Sequence, residues 1–189
     1  FADIDSNSYL IDINNVRHLL EKDTKAEIKG IIPVNLAGRS VDMEAFRKLA
    51  DEFGCWIIED ACHSPGGYFE NSSGNKIKSG SGQYADLAIF SFHPVKHIAS
   101  GEGGMITTND ESLYKKILNL RSHGIQQDYS KRIYNNSVWY YEMQELGFNY
   151  RLTDIQAALG NSQLKRAEEG LTKRKRIAKK YNDYFKDKN

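Results

Sequence analysis

Val41-Asp42-Met43-Glu44-Ala45-Phe46-Arg47-Lys48-Leu49-Ala50-Asp51-Glu52-Phe53 runs through Gly54 into Cys55-Trp56-Ile57-Ile58-Glu59, and this change of pattern decides the fold class. In the first segment Val41, Phe46, Leu49, Ala50 and Phe53 recur mostly at three- and four-residue intervals, the spacing of a helix that buries one face. The second is a short apolar run of strand length, closed by an acidic residue. A crossover helix feeding a buried strand is the repeating unit of a layered α/β domain.

The same alternation continues outward. Phe1–Ile4, Ile28–Val34, Leu87–Phe92 and Gly104–Thr108 read as further strands, and Asp12–Glu21 as another crossover helix. Only about a dozen residues rich in Gly, Pro and Ser join the last two strands, so the final strand turns back antiparallel and the sheet is mixed. Asp110 is an N-cap for a helix carrying Leu113, Ile117, Leu118 and Leu120 and ending at Gly124. Gln126 to Glu145 has no apolar period and reads as a long surface loop. From Thr153 a long helix sets Ile155, Ala158, Leu159 and Leu164 on one face, and its later part is basic.

A chain of 189 residues that is 40% hydrophobic and 27% charged can bury a core of its own. Its 26 basic and 25 acidic residues nearly cancel, so no global field draws it to nucleic acid or membrane, and the expected partner is a small molecule. Cys55 and Cys62 suit reduced thiols; even with His63 and His93 they lack the paired spacing of a metal site. No apolar run approaches the roughly 20 residues of a membrane helix, and the start lacks a signal peptide's order, so a cytoplasmic location is expected. The chain opens at Phe1 inside a strand-like alternation and stops at Asn189 after a basic helix; both ends read as cut.

Ligands of open α/β sheets bind beyond the carboxyl ends of the strands. Three polar segments stand there: Glu59-Asp60-Ala61-Cys62-His63, Ser91-Phe92-His93-Pro94-Val95-Lys96 and Ser100-Gly101-Glu102-Gly103-Gly104. Lys96, on a short irregular link after a buried strand, can reach into a cleft, lose its proton and form a Schiff base; a solvated surface lysine is the plainer alternative. Asp60 ends an apolar strand, where a partly desolvated carboxylate needs a cationic partner such as a protonated pyridine nitrogen; it also suits a helix cap. His63, three residues on, can face the same planar ligand from one turn, by hydrogen bond or by stacking, or play a structural part. Ser91 offers a hydroxyl suited to a phosphate oxygen, or is a turn residue. The glycine run lets backbone approach a ligand closely.

In order and spacing these segments, with Arg121-Ser122-His123-Gly124 and Gly147-Phe148-Asn149-Tyr150-Arg151-Leu152-Thr153-Asp154-Ile155-Gln156-Ala157-Ala158, resemble the DegT/DnrJ/StrS family of pyridoxal-phosphate (PLP)-dependent nucleotide-sugar aminotransferases. The resemblance spans nearly the whole chain. It implies a fold-type I large domain, a mixed but mostly parallel sheet with helices on both faces. Residues 1–152 would be part of that domain, and 153–189 a helix leading to a smaller C-terminal domain. The first strands and the small domain would be missing. It also implies Lys96 as the Schiff-base lysine, Asp60 on the pyridine nitrogen, His63 at the ring and Ser91 on the phosphate. Asn149 would reach the phosphate held by a neighbouring subunit, which implies a homodimer. Within the family the wording is similar to enzymes that aminate the C4 ketone of a UDP-linked 4-keto-6-deoxy-N-acetylhexosamine for bacterial surface sugars, with glutamate the usual donor.

Three rival readings are weaker. A sugar dehydratase of the same fold carries histidine where Lys96 stands. A binding module without chemistry has no use for an imine-forming amine beside Asp60. A dinucleotide-binding Rossmann domain needs a glycine fingerprint after the first strand, and Asp5 to Asp12 contains no glycine.

Overall fold

The computed structural model describes residues 1–125, 139–186 and 188. Its centre is the helix and strand quoted above. Helix α2 (Met43–Phe53) starts at Asp42, whose carboxylate accepts from the Ala45 N–H, and stops at Gly54, in the left-handed region at φ 67°. Met43, Phe46, Leu49 and Ala50 form its buried face. They pack with Ile31 and Ile57 of the sheet and with Val16 and Leu20 of α1 (Ile13–Lys22), which is capped by Asp12. Burying each large apolar side chain in this cluster contributes about 1.5–3 kcal/mol.

Strands β1 (Gly30–Ile31), β2 (Trp56–Asp60), β5 (Leu87–Ser91) and β6 (Gly104–Thr107) form one sheet in the order β1-β2-β5-β6. β1 and β5 run parallel to β2, while β6 is antiparallel to β5, as the short Gly- and Ser-rich link requires. Ile31 pairs with Ile57 on the face under α2, whereas Gly30 and Trp56 pair on the other face, where a Cβ on Gly30 would stand 2.2 Å from the indole. That second face also carries Ile32 and Val34, which are exposed. Arg47 of α2 ties the sheet edge-on, donating to Asp86 (3.2 Å) and to the Cys55 carbonyl (3.0 Å), while Asp86 accepts from the Ile57 N–H (2.6 Å).

Three expectations are corrected. Phe1–Ile4 does not join the sheet: the Asp5 carboxylate accepts from the N–H groups of Asn7 and Ser8, the chain folds back, and Ile4 forms only an isolated antiparallel bridge with Ile11. A short aspartate side chain that bonds its own backbone competes here with the ladder. Second, Tyr68–Glu70 (β3) and Lys76–Lys78 (β4) form an antiparallel hairpin that was not anticipated. Its turn is built by Asn71, which accepts from the Ser73 and Asn75 N–H groups, and Phe69 drops into the core. Its register shows why it was missed: Phe69 and Ile77 are the only apolar pair facing inward.

Third, the long helix after Thr153 is two helices. α4 (Asp154–Leu164) begins in a capping box between Thr153 and Gln156, and α5 (Ala167–Phe185) follows a break at Lys165 and Arg166. Leu164, Ala167 and Leu171 keep helical spacing across the break, so the pattern conceals it. Helix α3 (Glu111–Arg121) starts at Asp110, which accepts from the Ser112 and Leu113 N–H groups. Most of the expected loop at 126–145 lies outside the described residues.

Candidate active site

The sheet register brings two of the expected residues to one place. Asp60 pairs with Ile89 across β2 and β5, and Ser91 lies two residues further along β5. Side chains two apart on a strand share a face, so Asp60 and Ser91 both project from the face opposite α2, at the carboxyl ends of adjacent parallel strands. Asp60 is partly exposed. One of its oxygens, Oδ1, accepts from the Cys62 N–H at 3.0 Å, which orients the carboxylate. The Ser91 hydroxyl oxygen accepts from the His93 N–H at 3.3 Å, so its own proton is available to an acceptor.

Beyond Ser91 the chain makes a compact loop. The Lys96 N–H donates to the His93 carbonyl (2.9 Å), and the buried Ser100 closes the loop by donating its N–H to the Phe92 carbonyl and its hydroxyl to the Glu102 carbonyl (2.7 Å). Gly103, at φ 149°, is required: a Cβ there would meet Leu152 and the Ser100 hydroxyl at 2.8 Å. Lys96 is half-buried in this loop. Its charge is felt on the adjoining turn. The Cys62 thiol is pushed up to about 11 by burial and by the neighbouring Asp60, with the Lys96 ammonium opposing. The His97 imidazolium is disfavoured by desolvation, then by the positive charges of Arg174, His63 and Lys96. Asp60, Cys62, His63, Lys96 and His97 therefore form one electrostatic neighbourhood.

His63 is partly exposed and borders a cavity of about 500 Å³ with Arg39, Tyr68, His97, Leu171 and Lys175. Asp60, Ser91 and Lys96 do not line that cavity, so the hollow lies to one side of the cluster and His63 stands between the two. Asn149 is exposed on the segment that pairs back onto the end of α3, bridging to Ser122 while His123 donates to the Phe148 carbonyl. Gly124 and Gly147 make this close approach: a Cβ on Gly124, at φ 66°, would fall 1.8 Å from the Glu145 carbonyl oxygen. Among the described residues no group of three or more His, Cys, Asp or Glu side chains is arranged to hold a metal. No helix among them is long and apolar enough to cross a membrane.

Beneath the cluster lies a polar network the sequence did not suggest. Asn35, Glu59 and Ser64 are each at most 3% exposed. The Asn35 amide donates to Glu59 (2.8 Å) and to the Ser64 hydroxyl (3.0 Å), and its carbonyl accepts from the Val41 N–H (2.8 Å). Burial pushes the Glu59 carboxyl up, against the pull of the Gly80 N–H and the Asn35 amide. The alternation of β2 places Ile57 and Glu59 inward together and was the available signal.

The donor set suits PLP: a carboxylate for the ring nitrogen, a hydroxyl for the phosphate, a lysine for the aldehyde and an imidazole at the turn between. Comparison with known proteins points to the same cofactor. The chain is 41% identical over 187 residues to the uncharacterized protein MJ1066 of Methanocaldococcus jannaschii, covering 99% of this chain and 46% of that protein. It is 40% identical over 182 residues to the UDP-4-amino-4,6-dideoxy-N-acetyl-beta-L-altrosamine transaminase of Campylobacter jejuni, covering 93% of this chain and 44% of the relative. The chain thus spans less than half the length of these relatives.

Among solved structures it superposes on Helicobacter pylori PseC, an aminotransferase of pseudoaminic acid biosynthesis, with a TM-score of 0.82 at 35% identity, over 99% of this chain and 45% of that one. The PLP form of the sugar aminotransferase Spr1654 from Streptococcus pneumoniae gives 0.77 at 27% identity, over 98% and 47%. The fold is that of the fold-type I PLP enzymes. Residues 1–189 match the family model in full, and the chain belongs to the DegT/DnrJ/EryC1/StrS aminotransferases, whose cofactor is pyridoxal 5′-phosphate.

Proposed function

We propose that this chain is the cofactor-binding part of an enzyme that aminates the C4 ketone of a UDP-linked 4-keto-6-deoxy-N-acetylhexosamine, with glutamate as donor. The observation that carries the reading is the common face of Asp60 and Ser91 with Lys96 on the next loop. The named relatives, an altrosamine transaminase and PseC, support the sugar class. When bound, PLP supplies an aldehyde that takes up an amino group and a ring that draws electrons from the carbon beside it.

Around that group the residues would divide the work. Asp60, held by the Cys62 N–H, keeps a proton on the ring nitrogen. Ser91 donates its hydroxyl to a phosphate oxygen, and His63 packs at the ring. Lys96 would hold the cofactor at its aldehyde carbon and, with its Nζ free, would serve as the base that takes the proton from the donor's α-carbon. The same Nζ would return a proton when the amino group is placed on C4 of the sugar. The test is borohydride reduction of the holoenzyme followed by peptide mapping. Label is expected on Lys96; label on another lysine with PLP in excess sinks the assignment.

In this reading the enzyme is a cytoplasmic homodimer, and Asn149, exposed at the Ser122 bridge, serves the phosphate in the partner's site. An equal mixture of Asn149→Ala and Lys96→Ala chains, reassociated at random, would then have one whole site in each mixed dimer and recover about one quarter of wild-type activity, as two-fold symmetry dictates. Activity no higher than that of the separate mutants would mean that Asn149 acts within its own subunit.

A further inference from the structure

The turn that carries Asp60 and His63 is gripped from below at both ends. At its start the Asn35 N–H donates to the Asp60 carbonyl (2.9 Å) and the Asp60 N–H to the Pro33 carbonyl (3.0 Å). At its end the Asn35 side chain donates to the Ser64 hydroxyl (3.0 Å), which itself donates to the Ala61 carbonyl (3.5 Å). A single residue, fully buried, thus holds the first and last members of Asp60–Ser64. Its other partners anchor it in turn, for Glu59 accepts from its amide and the Val41 N–H donates to its carbonyl at the threshold of α2. The side-chain bonds of Asn35 lie under the sheet and its backbone bond to Asp60 lies in the sheet's plane, beside the Val34–Asp60 bridge, while the Asp60 carboxylate projects from the opposite face. Asn35 cannot touch a ligand on the open face; it acts only through the turn.

We propose that Asn35 is a positioning residue whose clamp on the Asp60–Ser64 turn sets the direction of the Asp60 carboxylate and the place of the His63 ring. The inference rests on the function proposed above for its consequence, and on this chain's own hydrogen bonds for its mechanism. The Cys62 N–H is the link between them. It points at Asp60 Oδ1 only while the turn keeps its shape, so loosening the turn frees the carboxylate to rotate. A buried network of this kind is effective because each member is satisfied: removing Asn35 leaves Glu59 and Ser64 buried with partners lost, and the turn must move to reach water.

The test compares three holoenzymes and their cofactor-free forms: Asn35→Ala, Ser64→Ala and the control Leu20→Ala, which opens the core in α1 away from the turn. Amide exchange of Cys62 in cofactor-free protein reads the turn directly. It should rise at least about tenfold in Asn35→Ala beyond the change in Leu20→Ala at matched loss of thermal stability, as local opening decouples from global opening. The dissociation constant for PLP, from absorbance titration, should rise by about tenfold or more, the usual consequence of losing a partner that orients a binding group. Ser64→Ala should move both readings in the same direction by less, and it carries the test if Asn35→Ala does not fold. Equal Cys62 exchange in Asn35→Ala and Leu20→Ala overturns the clamp, and so does faster exchange with unchanged PLP affinity. If borohydride places the cofactor elsewhere than Lys96, the proposed function falls, and the Cys62 exchange alone decides whether the clamp stands.

Discussion

In the holoenzyme, Lys96→Ala is expected to lower kcat for transamination by about ten-thousandfold, because one residue both carries the cofactor and moves the proton. Proton transfer by a positioned side chain accounts for roughly 10²–10⁴ of that on its own. Ten-thousandfold corresponds to about 5.4 kcal/mol at the transition state, well beyond what loss of one surface ion pair explains. The fold should be indifferent to the change, since Lys96 contributes only its backbone N–H to the loop and Ser100 closes that loop independently. Thermal denaturation of the cofactor-free variant within a degree or two of wild type is the control. Added methylamine should restore part of the rate by standing in for the lost amine. A rate unresponsive to small amines, or a loss of less than tenfold, would place the proton carrier elsewhere, and His63 or His97 would be the next residues to replace.

What was legible beforehand divides along a physical line. Elements with one face in the core were read closely: α2, expected over Val41–Phe53, and β2 and β5 with their apolar runs. Their patterns are dictated by burial, which acts at each residue. Elements set by local hydrogen bonds were misread. At Phe1–Ile4 an apolar alternation gave way to an Asp5 turn, and at Tyr68–Lys78 a hairpin formed around Asn71 with little apolar signal. The site follows the same division. Asp60, Ser91 and Lys96 could be singled out because they stand at or just beyond strand ends, where chemistry is expected. Asn35 was not, because it sits in the polar stretch after a strand and its partners, Glu59 and Ser64, come together only when β1 and β2 pair. No spacing along the chain connects residues 24 or 29 positions apart.

Asp60→Asn is expected to slow the half-reaction with glutamate by a hundredfold to a thousandfold, about 2.7–4 kcal/mol at the transition state. The substitution is chosen because of the Cys62 contact: an asparagine keeps the side-chain oxygen that accepts from the Cys62 N–H, so the turn and its neighbours stay in place while the charge is removed. Without a carboxylate the ring nitrogen loses its proton, and the ring loses much of its pull on electrons from the reacting carbon. Breaking a fully buried ion pair costs roughly 3–5 kcal/mol. Asp60 is only partly buried, which puts the expected effect toward the lower half of that range. Covalent capture of the cofactor by Lys96 needs no protonated ring, so borohydride labelling should be unchanged. The two measurements therefore separate holding the cofactor from activating it. Stopped-flow absorbance during the glutamate half-reaction supplies the rate. A value within a few-fold of wild type, with the label intact on Lys96, would reduce Asp60 to a turn residue whose carboxylate serves only the Cys62 N–H. The ring nitrogen would then have to find its partner outside the face that β2 and β5 share.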